Sequence, residues 1–284
     1  MKSKEVLVEV YSGQLSKMTV ALPSENNVAQ YQMVLDNPCV DMNSLLGKRV
    51  NLSYSGEIHC QNCQRLTKKS YSGGFCFPCS QKLAQCDLCF MKPETCHYAA
   101  GTCREPAWGE EVCMQDHIVY LANSSGLKVG ITRINQVPTR WIDQGATQAL
   151  PIFRVKSRYQ SGLVEVMFKN HVSDRTDWRK MLKAEADPLD LEQQRRFLFE
   201  TCRDDIQELQ QRFGETDIQL LHGEKPIEIA YPVLEYPTKI SSLSFDKTAE
   251  INGLLQGIKG QYLMLDTGVL NLRKFTGYQI KMVV

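Results

Sequence analysis

Two kinds of segment are missing from this 284-residue chain. No apolar run approaches the roughly 20 residues that a membrane-spanning helix needs, so no membrane partner is expected. There is no Gly-x4-Gly-Lys-Ser/Thr phosphate loop and no Gly-x-Gly-x-x-Gly fingerprint, which removes two common glycine-rich ways of cradling a nucleotide. Charge of one sign is also scarce. Lys and Arg number 33 against 32 Asp and Glu, a net of +1, so the chain as a whole makes no case for binding nucleic acid or a lipid surface. The first ten residues alternate polar and apolar like a strand and lack the apolar core of a signal peptide. The expected location is therefore the cytoplasm, where thiols stay reduced. Hydrophobic residues at 43% and charged residues at 23% are ordinary for a folded protein, and the length exceeds a usual single domain, so two or three modules are expected.

Cysteine is what the chain has in excess. Nine of its eleven cysteines fall between Cys60 and Cys113. In a reducing compartment, paired Cys-x2-Cys points to zinc rather than to disulfides, and an odd count sits poorly with complete bridging. Cys60-x2-Cys63-x12-Cys76-x2-Cys79 has zinc-ribbon spacing: each knuckle aims two thiolates at one ion, and two knuckles complete a closed, structural four-thiolate site. A second set follows: Cys86, Cys89, Cys96, His97, Cys103, Cys113 and His117. Seven ligand-capable side chains are available there for one four-coordinate ion. The preferred second site takes Cys86, Cys89 and two of Cys96, Cys103 and Cys113, with His117 in reserve. A cross-brace joining Cys60 and Cys63 to Cys86 and Cys89 is the alternative pairing, and an iron–sulfur cluster the alternative cofactor. Each of the later residues, taken singly, is as readily an ordinary buried side chain.

The remaining patterns divide the chain into five parts. Residues 1–58 are β-rich, with strand-like Met18–Leu22, Tyr31–Leu35 and Arg49–Tyr54. Residues 59–117 form the cysteine-rich, zinc-binding module. Residues 118–185 form a mixed domain with strands at 118–122, 127–132 and 152–157, a helix from Pro138 and a helix containing Glu165. Residues 186–217 form a packing helix, with Asp187 as its cap, Pro188 at its first position and an apolar stripe from Leu191 to Phe213. Residues 218–284 return to β character. Ser44–Leu52 and Gly253–Tyr262 share a Leu-Leu/Gly pattern, compatible with the two ends combining into one β unit or packing as related barrels. Charge is local: residues 128–183 hold eleven Lys/Arg against four Asp/Glu, and residues 184–217 hold four against ten. That suits either a basic working face with an acidic neighbour or two solvated surfaces packed together.

Val119-Tyr-Leu121 followed by Lys128-Val-Gly130 resembles the paired short strands of the GIY-YIG nucleases, particularly their divergent branch. The resemblance implies a first-strand tyrosine at Tyr120, a phosphate-binding arginine at Arg140, and a glutamate at Glu165 holding one divalent cation, Mg2+ or Mn2+. Gln144 stands where many members carry His or Tyr, one helical turn from Arg140. Lys128 replaces the second-strand tyrosine; it can bind phosphate as a point charge but is not an equivalent proton carrier. The Arg-to-Glu separation is also short for these enzymes.

A wider resemblance runs from about Cys60 to Lys183. Cys86-Asp-Leu-Cys89, Pro93-Glu-Thr-Cys-His97, Gly101-Thr-Cys-Arg-Glu-Pro-Ala-Trp-Gly109, Arg140-Trp-Ile-Asp-Gln-Gly-Ala146 and Asp174-Arg-Thr-Asp-Trp-Arg179 are similar to an uncharacterised bacterial domain-of-unknown-function family, numbered 2797.

The chemistry also stands on the residues themselves. Phosphodiester hydrolysis needs a guanidinium on the phosphoryl oxygens and a carboxylate-bound cation to activate water, and Arg140 and Glu165 are of the right types. The plain structural alternatives are that Tyr120 caps a core strand, Arg140 pairs with Asp143, and Glu165 is a solvated helix residue. The expected protein is α+β: a zinc-ribbon-like module plus a GIY-YIG-like small mixed sheet with helices, flanked by β-rich N- and C-terminal regions. Its expected cofactors are one or two structural Zn2+ ions, with Mg2+ or Mn2+ at Glu165. Its expected role is binding DNA or RNA as a metal-dependent endonuclease, the alternative being a catalytically inactive, zinc-stabilised protein-interaction or regulatory module.

Overall fold

The computed structural model describes residues 9–36, 39–173, 175–184 and 186–284. The expected strand over the first ten residues therefore lies largely outside the described residues, as does Asp174 of the 174–179 string. The chain folds into two compact units, residues 1–79 with 231–284, and residues 80–230. The result is a mixed α/β protein with several sheets, and among the described residues no helix is long and apolar enough to cross a membrane.

The first unit begins with β1 (Val10–Gln14), β2 (Thr19–Ala21), β3 (Gln30–Val34), β4 (Cys39–Asp41), β5 (Arg49–His59) and β6 (Leu66–Thr67). β5 runs to His59, five residues beyond the expected Tyr54. Strands β2, β3 and β4 make a small antiparallel sheet, in which Tyr31 and Met33 of β3 point inward between exposed Gln30 and Gln32. That alternation is the two-residue period of a half-buried strand.

The boundary between the units falls within α1 (Phe77–Lys82), after which come α2 (Leu88–Met91) and α3 (Pro106–Val112). Then β7 (His117–Asn123) and β8 (Leu127–Arg133) form a hairpin, α4 (Thr139–Asp143) follows, and β9 (Gln148–Val155) pairs antiparallel with the other side of β7. Every residue of β7 is buried. Val119 and Leu121 join a core with Phe153, Val164 and Phe168, while Tyr120, between them in sequence, packs edge-on against Trp141 at 5.8 Å.

Helix α5 (Arg158–Lys169) starts at Ser157. The Ser157 hydroxyl accepts from Gln160 N and the Gln160 side chain accepts from Ser157 N, a reciprocal cap that fixes where the first turn begins. Helix α6 (Trp178–Lys183) precedes the segment expected to be a single packing helix. That helix is two, α7 (Leu191–Thr201) and α8 (Arg203–Phe213), broken at Cys202. Nor does it start at Asp187. The Asp187 carbonyl accepts from the buried Asn123 side chain (2.8 Å) and Leu189 N donates to Gln148 Oε1 (2.8 Å), so Asp190 becomes the cap, accepting from Gln193 N at 2.8 Å. The apolar stripe still packs as expected, with Leu191, Leu198, Cys202 and Ile206 buried. β10 (Ile218–Leu220) and the two-residue β11 (Ile227–Glu228) both pair with β9.

The chain then returns to the first unit with β12 (Glu250–Lys259), β13 (Tyr262–Leu265), β14 (Gly268–Asn271) and β15 (Tyr278–Val283). The strand order is β1-β15-β5-β12-β13-β14, with β6 on β5. The two ends of the sequence thus share one sheet, and the strands carrying the Leu-Leu/Gly pattern are direct neighbours, with Asn51 opposite Asn252.

Candidate functional site

In the first unit, β5 delivers Cys60 to a tight turn. Cys60 N donates to Arg65 O, Gln64 N returns to Cys60 O, and Gln64 adopts a left-handed φ of 58°. The second knuckle is set by a small hairpin in which Tyr71 and Phe75 exchange both backbone hydrogen bonds at 2.8 Å. Gln61 N donates to Gly74 O at 2.8 Å and ties the two turns together. Gly74 is required there, because a Cβ would stand 2.7 Å from Gln61 Cγ and the φ is +128°.

The outcome is that the four Sγ atoms of Cys60, Cys63, Cys76 and Cys79 lie within 4.8 Å of one another, with Cys63 and Cys76 at 3.7 Å. Of the two pairings the sequence leaves open, the one brought together sets Cys60 and Cys63 with Cys76 and Cys79. Burial pushes the Cys60 thiol up, but backbone N–H groups at Cys63, Cys76 and Asn62 outweigh it and bring it down to about 6. For Cys79 the balance is opposite. Asn62 donates to its sulfur at 3.4 Å, yet burial and the three other thiols push it up to about 12. Four thiols this close cannot all ionise without a cation to hold the charge, and with one they form a four-coordinate cage. The cluster could hold a metal ion and is compatible with structural zinc.

The later cysteines lie in the second unit. Cys89, Cys96, Cys103 and Cys113 line one cavity together with Asp87 and His97, and Asp87, Cys89 and His97 bring ligand atoms within 4.8 Å of one another. Cys86 is not among the lining residues, and neither is His117. His117 is fully buried at the start of β7, with Nδ1 donating to Gln115 O at 2.6 Å.

Tyr120, Arg140, Gln144 and Glu165 come from β7, α4, the end of α4 and α5. The Tyr120 hydroxyl donates to Gln144 Oε1 at 3.1 Å. The positive charge of Arg140 favours ionisation of the same hydroxyl, and the negative charge of Glu165 opposes it. Burial pushes the phenol up to about 12, with the Arg140 charge pulling the other way. Tyr120 is sealed, whereas Arg140, Gln144 and Glu165 are each partly open to solvent. Glu165 pairs with Lys169, one turn along α5, at 3.7 Å. The close approach of Tyr120 to β8 depends on Gly130, where a Cβ would fall 2.7 Å from the phenol. Lys128 takes a different direction: its buried Nζ donates to Thr176 Oγ1 at 3.2 Å.

One member of this neighbourhood escaped the sequence reading. Arg158, the first residue of α5, is half-buried; its Nη2 donates to Phe90 O at 2.6 Å and its guanidinium stacks 4.5 Å from the Phe90 ring. Burial pulls its pKa down, and it feels the charges of Cys113, Arg140 and Glu165. The capping-box pair Ser157 and Gln160 was the available signal, since it places Arg158 in the first turn of a helix. Its partners come from α2 and the cysteine loops, which no local pattern connects to it.

Among protein families, the model described as protein of unknown function DUF2797 matches residues 47–280. No curated protein and no solved structure matches the chain.

Proposed function

Since the chain belongs to the DUF2797 family, described only as a protein of unknown function, we propose its function from the site itself: a zinc-stabilised nucleic-acid-binding protein with a divalent-metal-dependent phosphodiester site of GIY-YIG type. The observation that carries this reading is the Tyr120–Gln144 hydrogen bond, with Arg140 and Glu165, from two neighbouring helices, close enough for their charges to act on the same hydroxyl. Arg140 offers the guanidinium fork that a phosphodiester needs, and Glu165 a carboxylate suited to Mg2+ or Mn2+. A phenol held near 12 stays protonated at neutral pH, so Tyr120 serves as a donor that orients Gln144 and not as a base. A divalent cation bound at Glu165 would supply the activation of water that Tyr120 does not. Arg154, Lys156, Lys169, Arg175, Arg179 and Lys183 are exposed on the same unit and supply the charge to hold a polyanion. The tetrathiolate cluster at Cys60, Cys63, Cys76 and Cys79 is read as a structural zinc site.

The deciding experiment is cleavage of DNA and RNA in Mg2+ or Mn2+ by the wild type, Arg140→Ala and Glu165→Ala. Loss of about 10²-fold or more in both variants is expected, as for removal of a charge-stabilising group. Equal activity in all three would mean the site lies elsewhere. Binding without cleavage is the second reading, favoured by the complete burial of Tyr120. It predicts a wild type that retains nucleic acid but never cuts it, with binding weakened by Arg140→Ala.

A further inference from the structure

The cavity among the later cysteines plays no part in that reading, and three features of it point to an occupant. The first is the state of His97. Thr102 Oγ1 donates to the His97 carbonyl at 3.3 Å and lies 2.8 Å from His97 Nδ1. The two contacts together fix the plane and direction of the ring, whichever partner carries the proton between them. Nε2 is the ring's remaining ligand atom. It lies 3.6 Å from Asp87 Oδ2, beyond hydrogen-bonding range, in a cluster where Asp87, Cys89 and His97 ligand atoms fall within 4.8 Å. An imidazole with one nitrogen tethered to a hydroxyl and the other turned towards Asp87 and Cys89 is oriented as metal-ligating histidines are.

The second is the wall. Cys89, Cys96, Cys103 and Cys113 surround a space of about 20 Å³, room for one small occupant and little more. Asp87 is already committed, to Arg104 Nε at 2.5 Å and to the N–H of Cys89 as the cap of α2.

The third is charge. Arg158 lines the same cavity, and its Nε is buried with no acceptor among the described residues. Neutral thiols do not compensate a buried guanidinium. Three thiolates and one imidazole on a divalent cation carry a net charge of about −1 and present sulfur atoms to the orphaned N–H.

We propose that this cavity is a second, structural zinc site, bound by Cys89, His97 and two of the three thiolates Cys96, Cys103 and Cys113, and that Cys86 is not a ligand. Asp87 holds Arg104 and the first turn of α2 around it, and Arg158 is fixed by the anionic cluster at the base of α5. The proposal is independent of nucleic-acid cleavage, because zinc content is measured whether or not the protein cuts anything.

The test is elemental analysis and Co2+ substitution on the full chain. The wild type and Cys86→Ser should each carry about two zinc ions per chain, and Cys89→Ser, His97→Ala and Cys60→Ser about one. In the Cys60→Ser background, Co2+ in the remaining site should give the absorption of three sulfurs and one nitrogen. His97→Cys supplies a replacement ligand: as a single variant it should keep both ions, and combined with Cys60→Ser it should move that spectrum to the four-sulfur type. Two ions retained in His97→Ala, an unshifted spectrum in the combined variant, or a single wild-type ion that Cys60→Ser abolishes would each overturn it.

Discussion

At the scale of single residues, the balance between burial and partnership decides what each group does. His117 is the clearest instance. Burial holds its pKa at about 4, against the pull of the Gln115 carbonyl, whereas an unfolded histidine titrates near 6.5. The folded value is the lower one, so below pH 6.5 the unfolded chain binds more protons. The neutral imidazole's contribution is complete above pH 6.5 and is lost as the pH falls towards 4. The shift corresponds to about 3 kcal/mol. Urea midpoints should therefore fall between pH 6.5 and 4, and His117→Gln should fall less steeply; parallel curves would refute the assignment. Gly130 is the second instance. Gly130→Ala drives a methyl into the Tyr120 phenol, which Trp141 holds from another side, and overpacking of this kind costs about 1–3 kcal/mol. A melting temperature unchanged from wild type would show that Tyr120 can move aside. Tyr120 was legible in the sequence as a strand residue of interest, but its burial was not, because that depends on Trp141 and Gly130 arriving from elsewhere.

Elements meet the sequence reading best where their ends are chemically marked. Both strands of the β7–β8 hairpin fall within a residue of expectation, and the Ser157–Gln160 pair fixes α5. The packing helix was misplaced at its start because Asp187 and Asp190 are equally plausible caps by composition. Only Asn123 and Gln148, far away in sequence, pin residues 187–189 in a non-helical path. The contact of α5 with the turn at Pro93–Thr95 is tight enough to test. A Cβ at Gly162 would stand 2.5 Å from Glu94 N and 2.7 Å from Pro93 Cβ. Backbone on the receiving side cannot swing away as a side chain does. Gly162→Ala should destabilise the second unit by about 1–3 kcal/mol, read as an earlier thermal transition, and should loosen the loop that carries Cys96 and His97. An alanine variant as stable as wild type would mean the helix and turn separate freely.

For the whole molecule, the division of the cysteines between two units is the main consequence of folding. Of the clustered cysteines, Cys60, Cys63, Cys76 and Cys79 belong to the unit built from both chain ends, and Cys86, Cys89, Cys96, Cys103 and Cys113 to the unit inserted between them. Removing metal from the Cys60 cluster should therefore be felt first in the first unit. Because the ligands must be deprotonated to bind, the loss should also come on as the pH is lowered. Chelation followed by limited proteolysis should open residues 60–79 before the β7–β9 sheet. Simultaneous digestion of both units would show that the cluster stabilises the chain as a whole.

What the sequence determined by itself was local: two knuckles with the spacing to close on one ion, a strand pair from about residue 118, an apolar stripe from Leu191, and two β-rich ends. Each follows from covalent spacing or from a side-chain period that a few neighbouring residues define. The tertiary structure decided everything that needed partners distant in sequence. It set the two ends as neighbouring strands, buried Tyr120 beneath Gln144, and drew His97 rather than Cys86 to the cavity beside Arg158. Those outcomes are fixed by close packing and by the need to pair buried charge, and neither is written in any single stretch of chain.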